Sequence, residues 1–257
     1  MNYKNTNNPW FIQLKTNPNN NLRLFCFHYA GGSASAYKNW KNDIIDNVDL
    51  IAVQLPGREN RFCEPFKTTI QEVVDSLFYN FQNFLDKPFI FFGHSLGALV
   101  SFEFASRLQN ENCTNLKHLI VSGCKAPQSK SLRGMIYNLS DSELFEEIRK
   151  FNGIPSELLN EKELMMDIML PIVRADFTIS DLYKFKPQEK LKYPITAFSG
   201  DEDDTFYPET LFEWNIHTDS FNYKIFGGDH FFVNSSYKEV IKEVNSILDF
   251  KLKHGKK

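Results

Sequence analysis

Cysteine is scarce in this sequence: four residues, Cys26, Cys63, Cys113 and Cys124, are spread over 257 positions. No two of them form a C-x-x-C pair or stand at metal-ligand spacing, so neither a metal site nor a dithiol redox motif is expected. Isolated thiols without an export signal read as reduced side chains of a cytoplasmic protein rather than as a disulfide framework. Long apolar runs are missing as well. None approaches the ~20 residues that cross a bilayer, no lipidation motif stands out, and the polar start Met-Asn-Tyr-Lys-Asn-Thr-Asn-Asn has no apolar signal core. An excess of one charge is also absent. Lys and Arg number 29 against 32 Asp and Glu, a net −3, which leaves no electrostatic footprint for nucleic acid.

Phenylalanine, by contrast, is abundant, with 25 residues. Several stand inside apolar runs, so core filling is the first use expected of them and an acyl-binding pocket the second. The length and the 42% apolar share suit one α/β domain spanning residues 1–257 with a substantial core.

Strand and helix patterns alternate along the chain. Trp10, Phe11 and Leu14 suggest a short edge strand; Leu22–Phe27, Leu50–Gln54, Phe89–Phe92, Leu119–Ser122, Ile195–Phe198 and Tyr223–Phe226 read as strands. Thr68–Leu85 carries Ile70, Val73, Val74, Leu77, Phe78, Phe81, Phe84 and Leu85 at helical spacing. Leu96–Leu108 and a C-terminal segment with Val240, Ile241, Val244, Ile247 and Leu248 follow the same period. From about 125 to 187 only helical patterns occur. One starts at a capping box of Ser140 and Glu143 and breaks at Asn152-Gly153-Ile154-Pro155; another runs from Glu161 to Met169. The expectation is a mostly parallel sheet flanked by helices, with a helical lid inserted at about 125–187 over its carboxyl edge.

Gly93-His94-Ser95-Leu96-Gly97 matches G-x-S-x-G, and a buried strand enters it while an amphipathic helix leaves it. That is the context of the nucleophile elbow of an α/β-hydrolase fold. A serine hydroxyl needs a base, and the fold supplies it late in the chain, in the order Ser, acid, His. Of the histidines beyond the lid, His254 lies in the basic tail and His217 at a helix end. His230 stands in a Gly-flexed loop directly after a strand and is the candidate. The acid is sought in Ser199-Gly200-Asp201-Glu202-Asp203-Asp204. The fourth position of its G-x-x-D favours Asp203, with Asp201 and Asp204 as alternatives. The two backbone donors of an oxyanion hole are assigned to Leu96, next to the serine, and to Ala30 in the loop Phe27-His28-Tyr29-Ala30-Gly31-Gly32. That Gly-rich turn lacks the spacing and the lysine of a phosphate loop. His28 and His94 read as local packing or hydrogen-bonding groups, and no metal is inferred.

Five stretches in order (FHYAGGSASAY from Phe27, LPGRENRF from Leu55, GHSLGA from Gly93, LPIVRADF from Leu170 and GGDHFF from Gly227) resemble the type II thioesterases of nonribosomal peptide and polyketide assembly lines. The resemblance runs from about residue 22 to 235. It implies Ser95, Asp203 and His230 as the triad, a lid near 139–185, and acyl groups on the 4′-phosphopantetheine arm of a carrier protein as substrate. It implies no separate cofactor and a monomer. Met165, Met166 and Met169 would line the acyl path, or simply pack the lid. Arg58 and Arg174 read as structural ion-pair formers. The sequence departs from the family at His28, where proline is common, and at Leu96, where methionine is common. Alternatives are a fatty acyl-carrier thioesterase or a general carboxylesterase and, outside enzymes, a catalytically idle acyl-binding module. The intact set of triad residue types argues against the last.

Overall fold

The structure, a computed structural model, describes residues 8–132, 134–150 and 164–254. Its strands are β1 (Phe11–Lys15), β2 (Leu22–Phe27), β3 (Val48–Val53), β4 (Phe89–His94), β5 (Leu116–Ser122), β6 (Ile195–Gly200) and β7 (Phe221–Phe226). They form one sheet in the order β1-β3-β2-β4-β5-β6-β7. Of these strands only β1, on one edge, is antiparallel to its neighbour; the other pairs are parallel. The longer helices are α1 (Ile70–Asn80), α2 (Leu96–Asn110), α3 (Asp141–Lys150), α4 (Leu170–Asp181) and α5 (Tyr237–His254).

The continuous apolar strands follow from burial on both faces. In β4, Phe89 and Phe91 join the core beneath α1 and α2, while Ile90 and Phe92 join the core beneath α5. Strand β2 splits likewise, with Phe25 and Phe27 on one side and Leu22, Leu24 and Cys26 on the other. Most of the phenylalanine sits here. Phe25, Phe81, Phe89, Phe91 and Phe104 pack mostly edge to face, with centroids 4.9–6.0 Å apart among Phe25, Phe81, Phe89 and Phe91, an arrangement aromatic quadrupoles favour.

Helix α1 is shorter than its periodicity suggests. It starts at a capping box in which Thr69 Oγ1 accepts the Glu72 N–H and Glu72 accepts the Thr69 N–H, and it ends at Asn80. Gln82–Phe84 tightens into a 3-10 turn. In such a turn side chains three apart eclipse, which lets Phe81 and Phe84 both enter the aromatic cluster.

Between β5 and β6 the described residues form no strand. Helix α3 begins at the expected box, with the Ser140 N–H donating to Glu143 at 2.9 Å. The break at Asn152–Pro155 and the start of the helix expected from Glu161 lie outside the described residues. Met165–Met169 winds as a π turn that runs directly into α4. Ile136, Leu144, Ile148, Leu170, Val173 and Phe177 give this insertion a small core of its own. Among the described residues no helix is long and apolar enough to cross a membrane.

Candidate active site

Strand β4 ends at His94 and α2 starts at Leu96, so Ser95 alone makes the turn. It does so at φ 54° and ψ −118°, a conformation that costs a side-chain-bearing residue on the order of 1–3 kcal/mol. The turn is held by the Ser95 N–H donating to Ser122 O at 2.8 Å and by the Ala98 N–H donating to Ser95 O at 2.9 Å. The flanking glycines are steric requirements. A Cβ on Gly93 would lie 2.2 Å from the Gly97 carbonyl oxygen, and one on Gly97 would lie 2.1 Å from the Phe27 oxygen. Leu96 is the first residue of α2, so its N–H has no carbonyl partner within the helix.

The loops after β6 and β7 bring the other two predicted side chains to this serine. His230 Nε2 lies 3.0 Å from Ser95 Oγ, and His230 Nδ1 lies 3.0 Å from Asp203 Oδ2. The Asp203 side chain is fully enclosed, and its other oxygen accepts both the N–H (3.1 Å) and the hydroxyl (2.7 Å) of Thr205. Burial pushes the Asp203 carboxyl up, but the His230 and Thr205 hydrogen bonds and the His230 charge outweigh it, leaving the group below its ordinary range. The neighbouring acids are elsewhere. Asp201 accepts the Gly228 N–H at 2.8 Å, tying the two loops together, and Asp204 is exposed. Thr205 was not anticipated; its position two residues after an aspartate is an Asx-turn signal that would have pointed to it.

Ala30 and Leu96 both line the cavity that opens at Ser95. The loop carrying Ala30 is gripped from helix α4. Asp176 on α4 accepts the Gly31 N–H at 2.7 Å and forms a two-pronged pair with Arg58, both contacts 2.7 Å. Arg58 also donates to Gly32 O at 3.0 Å. Gly31 has φ +76°, and a Cβ there would meet Val173 of α4 at 2.8 Å. Arg58 is thus a structural ion-pair former, as expected. Arg174 is another, bound to Asp141 at 2.6 Å and to the carbonyl of Leu139 at 2.7 Å. The Asp176 contact was missed, because its partners are 118 and 145 residues away.

The cavity measures about 1000 Å³, and Ile148, Met169, Val173 and Phe177 of the helical segment between β5 and β6 line part of it. Of the three methionines assigned to this path, Met169 alone lines it. Met165 is fully buried, and Met166 packs against the small cluster of Ile136, Leu144, Ile148, Leu170, Val173 and Phe177. Phe177, Phe185, Phe206 and Phe231 also face the cavity, so the pocket takes a minority of the phenylalanine.

The remaining histidines serve other ends. His94, beside His230 with ring centroids 5.2 Å apart, is driven down to about 3 by burial first and by the His230 charge second. It is thereby held neutral, and its Nδ1 is paired with Ser122 Oγ at 2.9 Å. His217 is packed among Phe102, Phe185 and Trp214. Among the described residues no group of three or more His, Cys, Asp or Glu is arranged to hold a metal ion.

Comparison with known proteins matches this architecture to relatives over nearly its whole length. A family model described as a thioesterase domain matches residues 22–248. The gramicidin S biosynthesis protein GrsT of Aneurinibacillus migulanus is 39% identical over 236 residues, covering 91% of this chain and 92% of that one. A protein of Brevibacillus parabrevis named linear gramicidin dehydrogenase LgrE is 37% identical over 242 residues, covering 93% and 92%. Among solved structures, the type II thioesterase BorB from the borrelidin biosynthetic cluster superimposes with a TM-score of 0.85 at 32% identity, covering 92% of this chain and 96% of that one.

Proposed function

The chain belongs to the thioesterase family, with an α/β-hydrolase fold, and from that footing we propose that it hydrolyses acyl groups from the 4′-phosphopantetheine arm of carrier proteins in nonribosomal peptide or polyketide synthesis. Stalled or misprimed acyl groups are the substrates, and the freed carrier thiol is the useful product. What carries the reading is the row Ser95 Oγ, His230 Nε2, His230 Nδ1, Asp203 Oδ2, each contact 3.0 Å, opening on an apolar cavity under the lid.

Ser95 attacks the thioester carbonyl while its proton passes to His230 Nε2. Asp203 holds the Nδ1–H of His230, which fixes the tautomer and stabilises the imidazolium. The oxygen that gains charge meets the N–H groups of Ala30 and Leu96. Collapse expels the pantetheine sulfur, which takes the proton from His230 and leaves as the thiol. A water molecule, deprotonated by the same histidine, then attacks the acyl-serine and releases the acid. Because a thiolate leaves more readily than an alkoxide, admitting the arm through the lid is the harder part.

The test compares thiol release from acetyl-pantetheinyl carrier protein with hydrolysis of a short oxygen ester. Wild type should prefer the carrier thioester, and Ser95→Ala should lose more than ~10⁴-fold in kcat. Retained activity in Ser95→Ala sinks the mechanism; a strong preference for the oxygen ester sinks the carrier-protein role.

A further inference from the structure

The departure at His28 is not idle. In a trans peptide the carbonyl and the following N–H point in opposite directions, so whatever holds Tyr29 O also aims the Ala30 N–H. The Tyr29–Ala30 peptide is trans, and its oxygen is held twice. The Gly32 N–H donates to it at 2.9 Å, and His28 Nδ1 stands 2.9 Å from it. A carbonyl oxygen only accepts, so His28 carries its proton on Nδ1. We propose that His28 is a positioning residue that aims the Ala30 N–H at the substrate's developing oxyanion, with the Arg58–Asp176 pair fixing the Gly31 and Gly32 side of the same loop. The proposal rests on the roles given above to Ser95 and Ala30.

Three observations carry it. First, the bond to Tyr29 O polarises the peptide, so the Ala30 N–H becomes a better donor as well as a better aimed one. Second, His28 is 3% exposed, and its Nε2 is buried without a partner among the described residues. An apolar side chain would avoid that cost, so packing alone does not account for an imidazole here. Burial first and the Arg58 charge second push His28 down to about 4, which keeps it a neutral, single-tautomer donor across the working range. Third, the far side of the loop is clamped independently. Arg58 and Asp176 are 3% and 1% exposed. A buried ion pair contributes little net stability compared with an apolar pair of similar size, but its fork geometry fixes direction. Because Asp176 sits on lid helix α4, the aim of the Ala30 donor is tied to the position of the lid.

The experiment measures kcat and KM on acetyl-pantetheinyl carrier protein, with inhibition by a trifluoromethyl ketone analogue that forms a tetrahedral oxyanion on Ser95. His28→Leu should lower kcat by about 10- to 100-fold with KM changed less than about threefold, and should weaken the inhibitor by the same factor. His28→Asn, whose side-chain N–H lies the same number of bonds from Cα, should recover most of the loss. Unchanged kcat in His28→Leu, or an Asn variant that folds but recovers nothing, overturns the proposal. Should His28→Leu not fold, His28→Met and His28→Phe, which also lack a donor at that position, carry the same expectation, and an unchanged kcat in either folded variant overturns the proposal equally. Fluorophosphonate labelling of wild type separates the two levels. If Ser95 takes no label the underlying reading fails; if Ser95 is labelled and the variants are unimpaired, the positioning role alone fails.

Discussion

Replacing Asp203 by asparagine tests the site with almost no change of shape. The outcome follows from which atom of the new amide faces which neighbour. One oxygen of Asp203 accepts the Thr205 N–H at 3.1 Å, and the other faces His230 Nδ1 at 3.0 Å. A backbone N–H can only donate, so the oxygen of the introduced amide must stay with Thr205; turning it away leaves a buried donor unpaired, at about 1–3 kcal/mol. The amide NH₂ is then presented to His230 and drives its proton toward Nε2, although Thr205 Oγ1, 3.2 Å from Nδ1, can still accept a proton held there. In the Nε2-protonated form that nitrogen donates to Ser95 Oγ instead of accepting from it, and the base is lost. In serine proteases, the same aspartate-to-asparagine change lowers kcat about 10⁴-fold, and a loss of ~10³–10⁴ is expected here. Thiol release from an acyl-carrier substrate, followed with a colorimetric thiol reagent, reads it directly. Two controls sharpen it. An amide in place of the Asp201 carboxylate would keep an oxygen for the Gly228 N–H, and position 204 is exposed. Asp201→Asn and Asp204→Asn should therefore each stay within about threefold of wild type. If Asp203→Asn keeps a tenth of the activity, or either control loses more than it does, the assignment of the acid is wrong.

Two further outcomes concern stability. Gly97→Ala drives a methyl to 2.1 Å from a backbone oxygen and should cost about 3 kcal/mol or more in urea unfolding. Gly134→Ala meets nothing within 4 Å and should stay within ~0.5 kcal/mol; equal losses at the two positions refute the steric account. The pH dependence follows from buried histidines. His28, His94 and His118 are held neutral by burial, at about 4, 3 and 3, below the ordinary ~6.5. Between about pH 6.5 and 4 the unfolded chain binds protons that the folded chain refuses, so stability falls as pH falls, by at most ~1.4 kcal/mol per unit for each histidine. Urea midpoints should drop from pH 7 to pH 5, and a flat profile would contradict this.

What was legible in the sequence is what short stretches of chain decide for themselves. Continuous apolar runs marked the parallel strands because burial on both faces leaves no polar alternation. The 3.6-residue period and the Ser140–Glu143 cap marked helices because their geometry is local. Gly93-His94-Ser95-Leu96-Gly97 marked the elbow because only glycine fits where α2 crosses β4 and the end of β2. Chain order and loop position singled out His230 from the other late histidines. Tertiary structure decided the rest, wherever neighbours in sequence are chemically alike or partners lie far apart. The G-x-x-D position favoured Asp203 but left Asp201 and Asp204 open; the structure pairs Asp201 with Gly228, leaves Asp204 exposed and encloses Asp203 against His230. Met169 lines the cavity and Met165 does not, although both stand in the same π turn. Arg58 meets Asp176 across 118 residues, and Asp176 likewise reaches the Gly31 N–H across 145 residues. Such contacts are set by how whole layers pack, and no spacing along the chain encodes them.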